Sequence, residues 1–145
     1  MKRFTTILSA CLLASIQLSA GEHANKGVFT QAKLECIERN LINAFESDVP
    51  GLQASAALTM RQLREIAPHY DWSRSIVPLM HIVNREEHDA RARIAAALVL
   101  YELRSSRGDW AIERTAQFAD NPRVKHYCTI LHKSRILERS ERSTP

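Results

Sequence analysis

Six histidines and the run Glu86-Glu87-His88-Asp89 are the side chains best suited to hold a metal. A helical zinc site needs two ligands on one face and a third nearby, as in His-Glu-x-x-His, and no histidine pair here has that spacing. His126 and Cys128 stand two apart on an expected helix, so they point in different directions. The histidines therefore read as structural or solvated groups, and neither a metal nor a cofactor is expected. No Ser-His-Asp context, glycine-rich phosphate loop or Cys-x-x-Cys pair is present. Catalysis would require residues assembled by the fold alone, and the chain is expected not to be an enzyme.

Two other kinds of side chain stand out. Trp72 and Trp110 each follow an aspartate, and the Asp-Trp pairs lie 38 positions apart. They could be ligand platforms, but equivalent places in a repeat favour a second role, as plugs sealing adjacent helix pairs at their connectors. The basic residues Arg91, Arg93, Arg123 and Lys125 fall at or near turns that lead into helices. They are read as contacts of those turns, with anion binding as the alternative.

The elements that must position these groups are helical. The chain has 145 residues, 45% apolar and 25% charged, which suits one ordinary domain able to bury a core. Four glycines and a predominance of Ala, Leu, Arg and Glu favour helix over strand. The organising stretch is 76–103. Ile76, Val77, Leu79, Met80, Ile82 and Val83 crowd a short helix, whose start is limited by Pro78 and capped by Ser73 or Ser75. An acidic turn follows, then a second helix with Ile94, Ala97, Leu98 and Tyr101 at helical spacing and three alanines, Ala95 to Ala97, that permit close approach.

Similar pairs flank this one. Val28, Leu34, Ile37, Leu41, Ile42 and Phe45 predict a helix ending near Ser47, with Asp48 as cap candidate for the next. That next helix carries Leu52, Ala56, Met60, Leu63 and Ile66 and stops at Pro68. Ser105 to Trp110 reads as a connector, after which a third pair turns at 120–125 and buries Tyr127, Cys128, Ile130, Leu131, Ile136 and Leu137. Sliding the chain lays Phe45 on Val83 at an offset of 38, but Leu58 and Leu63 on Leu98 and Leu103 at 40, so a gap of two residues lies between. A period near 40 marks a two-helix solenoid, whose outer helices should be the more polar.

This pattern resembles the HEAT-repeat family, within the armadillo-like helical repeats. Pro78 takes the place of the proline in the family's first helix, Ala90-Arg91 that of its Val-Arg pair, and Ala97-Leu98 that of its Ala-Leu pair. The central turn lacks the usual proline, whereas Asn121-Pro122 and Val124-Lys125 supply both turn elements in the third pair. The resemblance implies an all-α, short right-handed α-solenoid of about three antiparallel helix pairs over 28–137. It also implies that the turn arginine bonds a neighbouring unit's turn, and that the protein acts by binding another protein or peptide.

The N-terminus carries a different signal. Met1-Lys2-Arg3, an apolar run from Phe4 to Leu18 and the small residues Ser19-Ala20 describe a signal peptide over 1–20. Export to the periplasm or beyond follows, with a flexible segment over 21–27 and no transmembrane span after cleavage. Leu8-Ser9-Ala10-Cys11 also fits a lipoprotein box, so anchoring through Cys11 is the alternative. Removing Lys2 and Arg3 from the formal charge of +4 leaves +2, too little to argue for nucleic acid. Cys36 and Cys128 then remain, in the first and third pairs. Neighbouring helices lie ~10 Å apart and a disulfide needs Cα atoms within ~7 Å, so both are expected free and buried. Residues 138–145 read as a charged flexible tail. The alternatives to a protein-binding module are an enzyme or small-ligand binder with a fold-assembled site and, further off, a HEAT-like nucleic-acid binder.

Overall fold

The computed structural model describes residues 29–142, and within them all regular structure is helical. The helices are α1 (Gln31–Phe45), α2 (Pro50–Ile66), α3 (Ile76–Asn84), α4 (Ala90–Leu103), α5 (Ser106–Phe118) and α6 (Pro122–Arg142), with a 3-10 turn at Ser73–Ser75. Consecutive helices pack as the pairs α1/α2, α3/α4 and α5/α6. Across pairs, α3 touches both α1 and α5, and α4 touches both α2 and α6. The expected leader, and Val28 at the expected start of the first helix, lie outside the described residues.

Local chemistry sets each boundary. Thr30 caps α1 by accepting from the Lys33 amide at 3.3 Å, and Leu34, Glu38, Leu41 and Phe45 form its buried stripe. Val49, rather than Asp48, occupies the N-cap of α2, because Pro50 takes the first helical position where its missing N–H costs nothing. Ala56, Met60 and Leu63 of α2 face inward as expected, but Leu52 and Ile66 at its two ends are exposed. Gln53 takes the inward place because its amide donates to the carbonyls of Phe45 and Ser47, at 3.2 and 2.7 Å, and so closes the end of α1.

Pro78 sits in the first turn of α3, as a proline must. Ser75 stands at the N-cap, yet its hydroxyl does not cap; it donates to Glu38 at 3.0 Å. Asp89 caps α4 by accepting from the Arg91 amide at 2.8 Å. The expected connector at Ser105 to Trp110 is instead the first part of α5, since Ser105 is its cap and accepts from the Gly108 amide at 3.0 Å. Asn121 accepts from the amides of Arg123 and Val124 and starts α6 at Pro122. That helix continues through Arg142, so residues 138–142 are part of it and not of a tail.

The core gathers around α4. Ala92, Ala96, Ala97, Val99 and Leu100 are fully buried, because α4 is packed against α2, α3, α5 and α6 at once. Its alanines keep the backbones of those neighbours close. At Gly108 the start of α5 comes so near α4 that an added Cβ would lie 3.2 Å from the Leu100 carbonyl oxygen and 3.3 Å from its Cβ. At Gly51, in the first turn of α2, the same atom would meet nothing within 4 Å. Gly51→Ala should therefore raise stability by up to ~0.5 kcal/mol through helix propensity. Gly108→Ala should lower it by about 1 kcal/mol, as the crowding exceeds that gain. Urea unfolding of the two variants beside the wild type measures both signs.

Candidate functional site

The four turn cations do not act alike. Arg93 is 1% exposed and is drawn inward: its Nε donates to the Val83 carbonyl at 3.0 Å, and its two terminal nitrogens grip Glu86 at 2.5 and 2.8 Å. It thus ties the start of α4 to the end of α3 and to the turn between them. Arg91, the residue at the family's arginine place, is instead exposed and lies only 3.9 Å from Asp89. Arg123 and Lys125 are exposed in the first turn of α6. Arg93 thus bonds the turn of its own pair and not that of a neighbouring one, because its position faces the core whereas Arg91 faces water.

Trp72 and Trp110 occupy unrelated surroundings. Trp72 lies in the connector before α3, is 4% exposed and meets Tyr70 edge-on with ring centroids 4.6 Å apart. Trp110 lies within α5, is 50% exposed, and has the Arg114 guanidinium 5.5 Å from its ring centre. Only Trp72 is a connector plug; Trp110 was displaced from that role by the earlier start of α5. One turn beyond Arg114, Phe118 is 72% exposed. Trp110, Arg114 and Phe118 therefore form an outward row at four-residue spacing along α5. Beside it, Asn84, Glu86, Arg93, Arg114, Thr115, Phe118 and Ala119 line an open groove of 200 Å³.

Two polar clusters escaped the sequence reading. Glu38 of α1 is fully buried and accepts from Tyr70 Oη at 2.9 Å and from Ser75 Oγ at 3.0 Å. Burial and the bond to Glu38 push the Tyr70 phenol up to about 12. On α6, Arg135 is 6% exposed, bonds Asp109 at 2.9 Å and Glu138 at 2.8 Å, donates to the Tyr101 carbonyl, and lies over the Tyr101 ring at 4.2 Å. The expected inward residues Ile136 and Leu137 are exposed, because Arg135 takes the inward place. A charged residue standing on an apolar stripe is the signal that marks both: Glu38 four residues after Leu34, and Arg135 four after Leu131.

Burial lifts the Cys128 thiol to about 11. The Tyr101 phenol is raised by its bond to Glu138, and that bond holds the Glu138 carboxyl low. The hydrogen bonds from Arg93 likewise hold Glu86 low. Each of these acids moves away from pH 7, the pattern of fixed structural partners and not of a poised acid or base. Among the described residues no group of three metal-ligating side chains occurs, and no helix is long and apolar enough to cross a membrane. Cys36 and Cys128 are both free, as expected, but Cys36 is exposed because it lies off the Leu34/Leu41 stripe. No protein-family model, curated protein or solved structure matches the chain.

Two outcomes follow from this chemistry. In native protein Cys36 should be alkylated readily and Cys128 only after unfolding, which mass mapping of the labelled peptides checks. Glu86→Gln should cost ~1–2 kcal/mol at pH 7, a charge-assisted bond discounted for the carboxylate's partial exposure. Because the folded Glu86 carboxyl lies below its ordinary value of 4.5, that stabilisation is complete above 4.5 and fades as pH falls through the folded value. Unfolding curves of wild type and variant should therefore converge in acid.

Proposed function

We propose that this chain is an exported, short right-handed solenoid of three HEAT-like helix pairs, and that it works by binding another protein or peptide without chemistry of its own. The solenoid reading is supported by the neighbour relations: α1, α3 and α5 form one succession and α2, α4 and α6 the other. It is supported further by an equivalence of detail. Gln53 and Arg93 are each the fourth residue of the second helix in their pair, and each donates to a carbonyl at the end of the preceding helix, that of Phe45, the last residue of α1, or of Val83, the last but one of α3. The first two pairs thus close their turns in the same way. Export rests on the residues of the leader, 1–20, and the role of Cys11 as an anchor is its alternative.

The observation that carries the binding role is the outward row on α5. Tryptophan, arginine and phenylalanine are side chains that interfaces use as anchors, and here two of them are half exposed or more with a guanidinium between. Nothing in the fold's interior requires Phe118 to be apolar at 72% exposure. The adjoining groove, with Asn84 and Thr115 joined by a hydrogen bond of 3.2 Å along its wall, offers polar groups beside the apolar row.

The double variant Trp110→Ala/Phe118→Ala tests this assignment. Both side chains are exposed, so its unfolding midpoint should match the wild type within the ~0.5 kcal/mol typical of surface changes. A photo-crosslinker at Gln117 should capture a discrete envelope protein with the wild-type row and lose it with the double variant. Equal capture by both, or none by either, would reject the row as the binding surface.

A further inference from the structure

The longest helix, α6, presents a second ordered seam that its own fold does not use. Its inward side is the series Val124, Cys128, Leu131, Arg135 and Glu138, which meets α4 and α5. One residue earlier at every step lies an outward series: Arg123, Tyr127, Ile130, Ser134, Leu137 and Glu141. The successive spacings are four, three, four, three and four, the heptad alternation of a helix that packs along a partner helix. Tyr127, Ile130 and Leu137 on this seam are 39%, 46% and 62% exposed. Single exposed apolar residues need no explanation; three aligned on one seam of a 21-residue helix make a continuous strip.

We propose that this strip docks a second copy of the same chain, α6 against α6 in antiparallel orientation about a two-fold axis near His132. The seam's polar ends select that occupant and that direction. Arg123 stands at one end and Glu141 at the other, both exposed. Laid antiparallel, Arg123 of one copy meets Glu141 of the second, Tyr127 meets Leu137, and Ile130 meets Ser134, each contact occurring twice. Small Ser134 leaves room for Ile130 near the axis, and the aromatic ring covers the most exposed aliphatic side chain of the strip. A parallel arrangement would set Arg123 against Arg123 and Glu141 against Glu141, which like-charge repulsion disfavours. On the outer flank His126 and Lys133 border the strip, and Lys133 meets its own copy beside the axis. That repulsion and the modest length of the seam, ~31 Å for 21 residues, keep the dimer weak. Self-association should appear at about 10–100 µM, below the strength of a standard-size interface.

This surface differs from the α5 row, so the two can fail separately. Sedimentation velocity of the full chain across that concentration range reads the dimer directly. Arg123→Glu and Glu141→Arg should each weaken association about tenfold. The double exchange, which restores opposite charges across the axis, should return it to within about threefold of wild type. Leu137→Asp should abolish it, while circular dichroism shows all four variants folded, as befits exposed positions. A monomer at every concentration, association unmoved by these substitutions, or a double exchange as weak as the singles would overturn the proposal. So would a heterologous helix crosslinked to Ile130→Cys under conditions where the chain itself stays monomeric.

Discussion

The fold depends on closing the C-terminal ends of its helices from inside. A helix leaves its last carbonyls without intrahelical partners, and burying them unpaired costs ~1–3 kcal/mol each. Here buried or half-buried side chains of neighbouring elements answer them. Gln53 reaches the end of α1 and Arg93 the end of α3. The end of α4 receives two arginines from opposite sides: Arg64 of α2 donates to the Glu102 carbonyl at 2.7 Å, and Arg135 of α6 to that of Tyr101. Cations at that end also oppose the negative pole of the helix dipole. The arrangement explains why α4 can end in Arg104 with a left-handed φ of 54°, a conformation usually left to glycine.

These contacts work in common with the alanine surface of α4. A helix enclosed by four others cannot carry large side chains all round, because the axes must come close. Ala92, Ala96 and Ala97 meet that requirement and leave Val99 and Leu100 to fill the remaining volume. Polar ends and an apolar waist then divide the labour. The waist supplies burial, which is non-directional, whereas the arginines and Gln53 fix where along its axis each helix stops. Arg61 and Arg64 of α2 on Glu102 of α4, and Arg135 and Arg139 of α6 on Asp109 of α5, add further ties between packed helices.

Helix content and the three pairs were legible in the sequence, because apolar stripes and prolines report local periodicity. The gap of two expected there corresponds to the stretch from Val83 to Arg93, ten positions against the eight from Phe45 to Gln53, of which the longer turn before α4 accounts for one. What was not legible depends on partners far along the chain. Glu38 is tolerable in the core only because Tyr70 and Ser75 arrive there, 32 and 37 positions later. Arg135 is likewise defined by Asp109, 26 positions earlier. The misplaced Trp110 has a simpler cause. Matching Asp109-Trp110 to Asp71-Trp72 put both in connectors, whereas Ser105 caps a helix and Gly108 serves a close approach within it.

The distribution of exposed apolar groups points the same way as the enclosure of α4. The central pair leaves only Val77 among the large exposed hydrophobics, whereas Leu52, Leu58 and Ile66 lie on α2 and Trp110, Phe118, Tyr127, Ile130, Ile136 and Leu137 on α5 and α6. The flanking pairs thus carry more exposed apolar side chains than the central pair. The central pair is covered by helices of both flanking pairs, whereas each flanking pair packs chiefly on the central one and keeps a free side. Where that free side remains apolar, solvent exposure is unfavourable by about 25 cal/mol per Å², and contact with another surface recovers the loss. On the last pair these exposed apolar groups fall on two separate strips, the aromatic row of α5 and the heptad seam of α6.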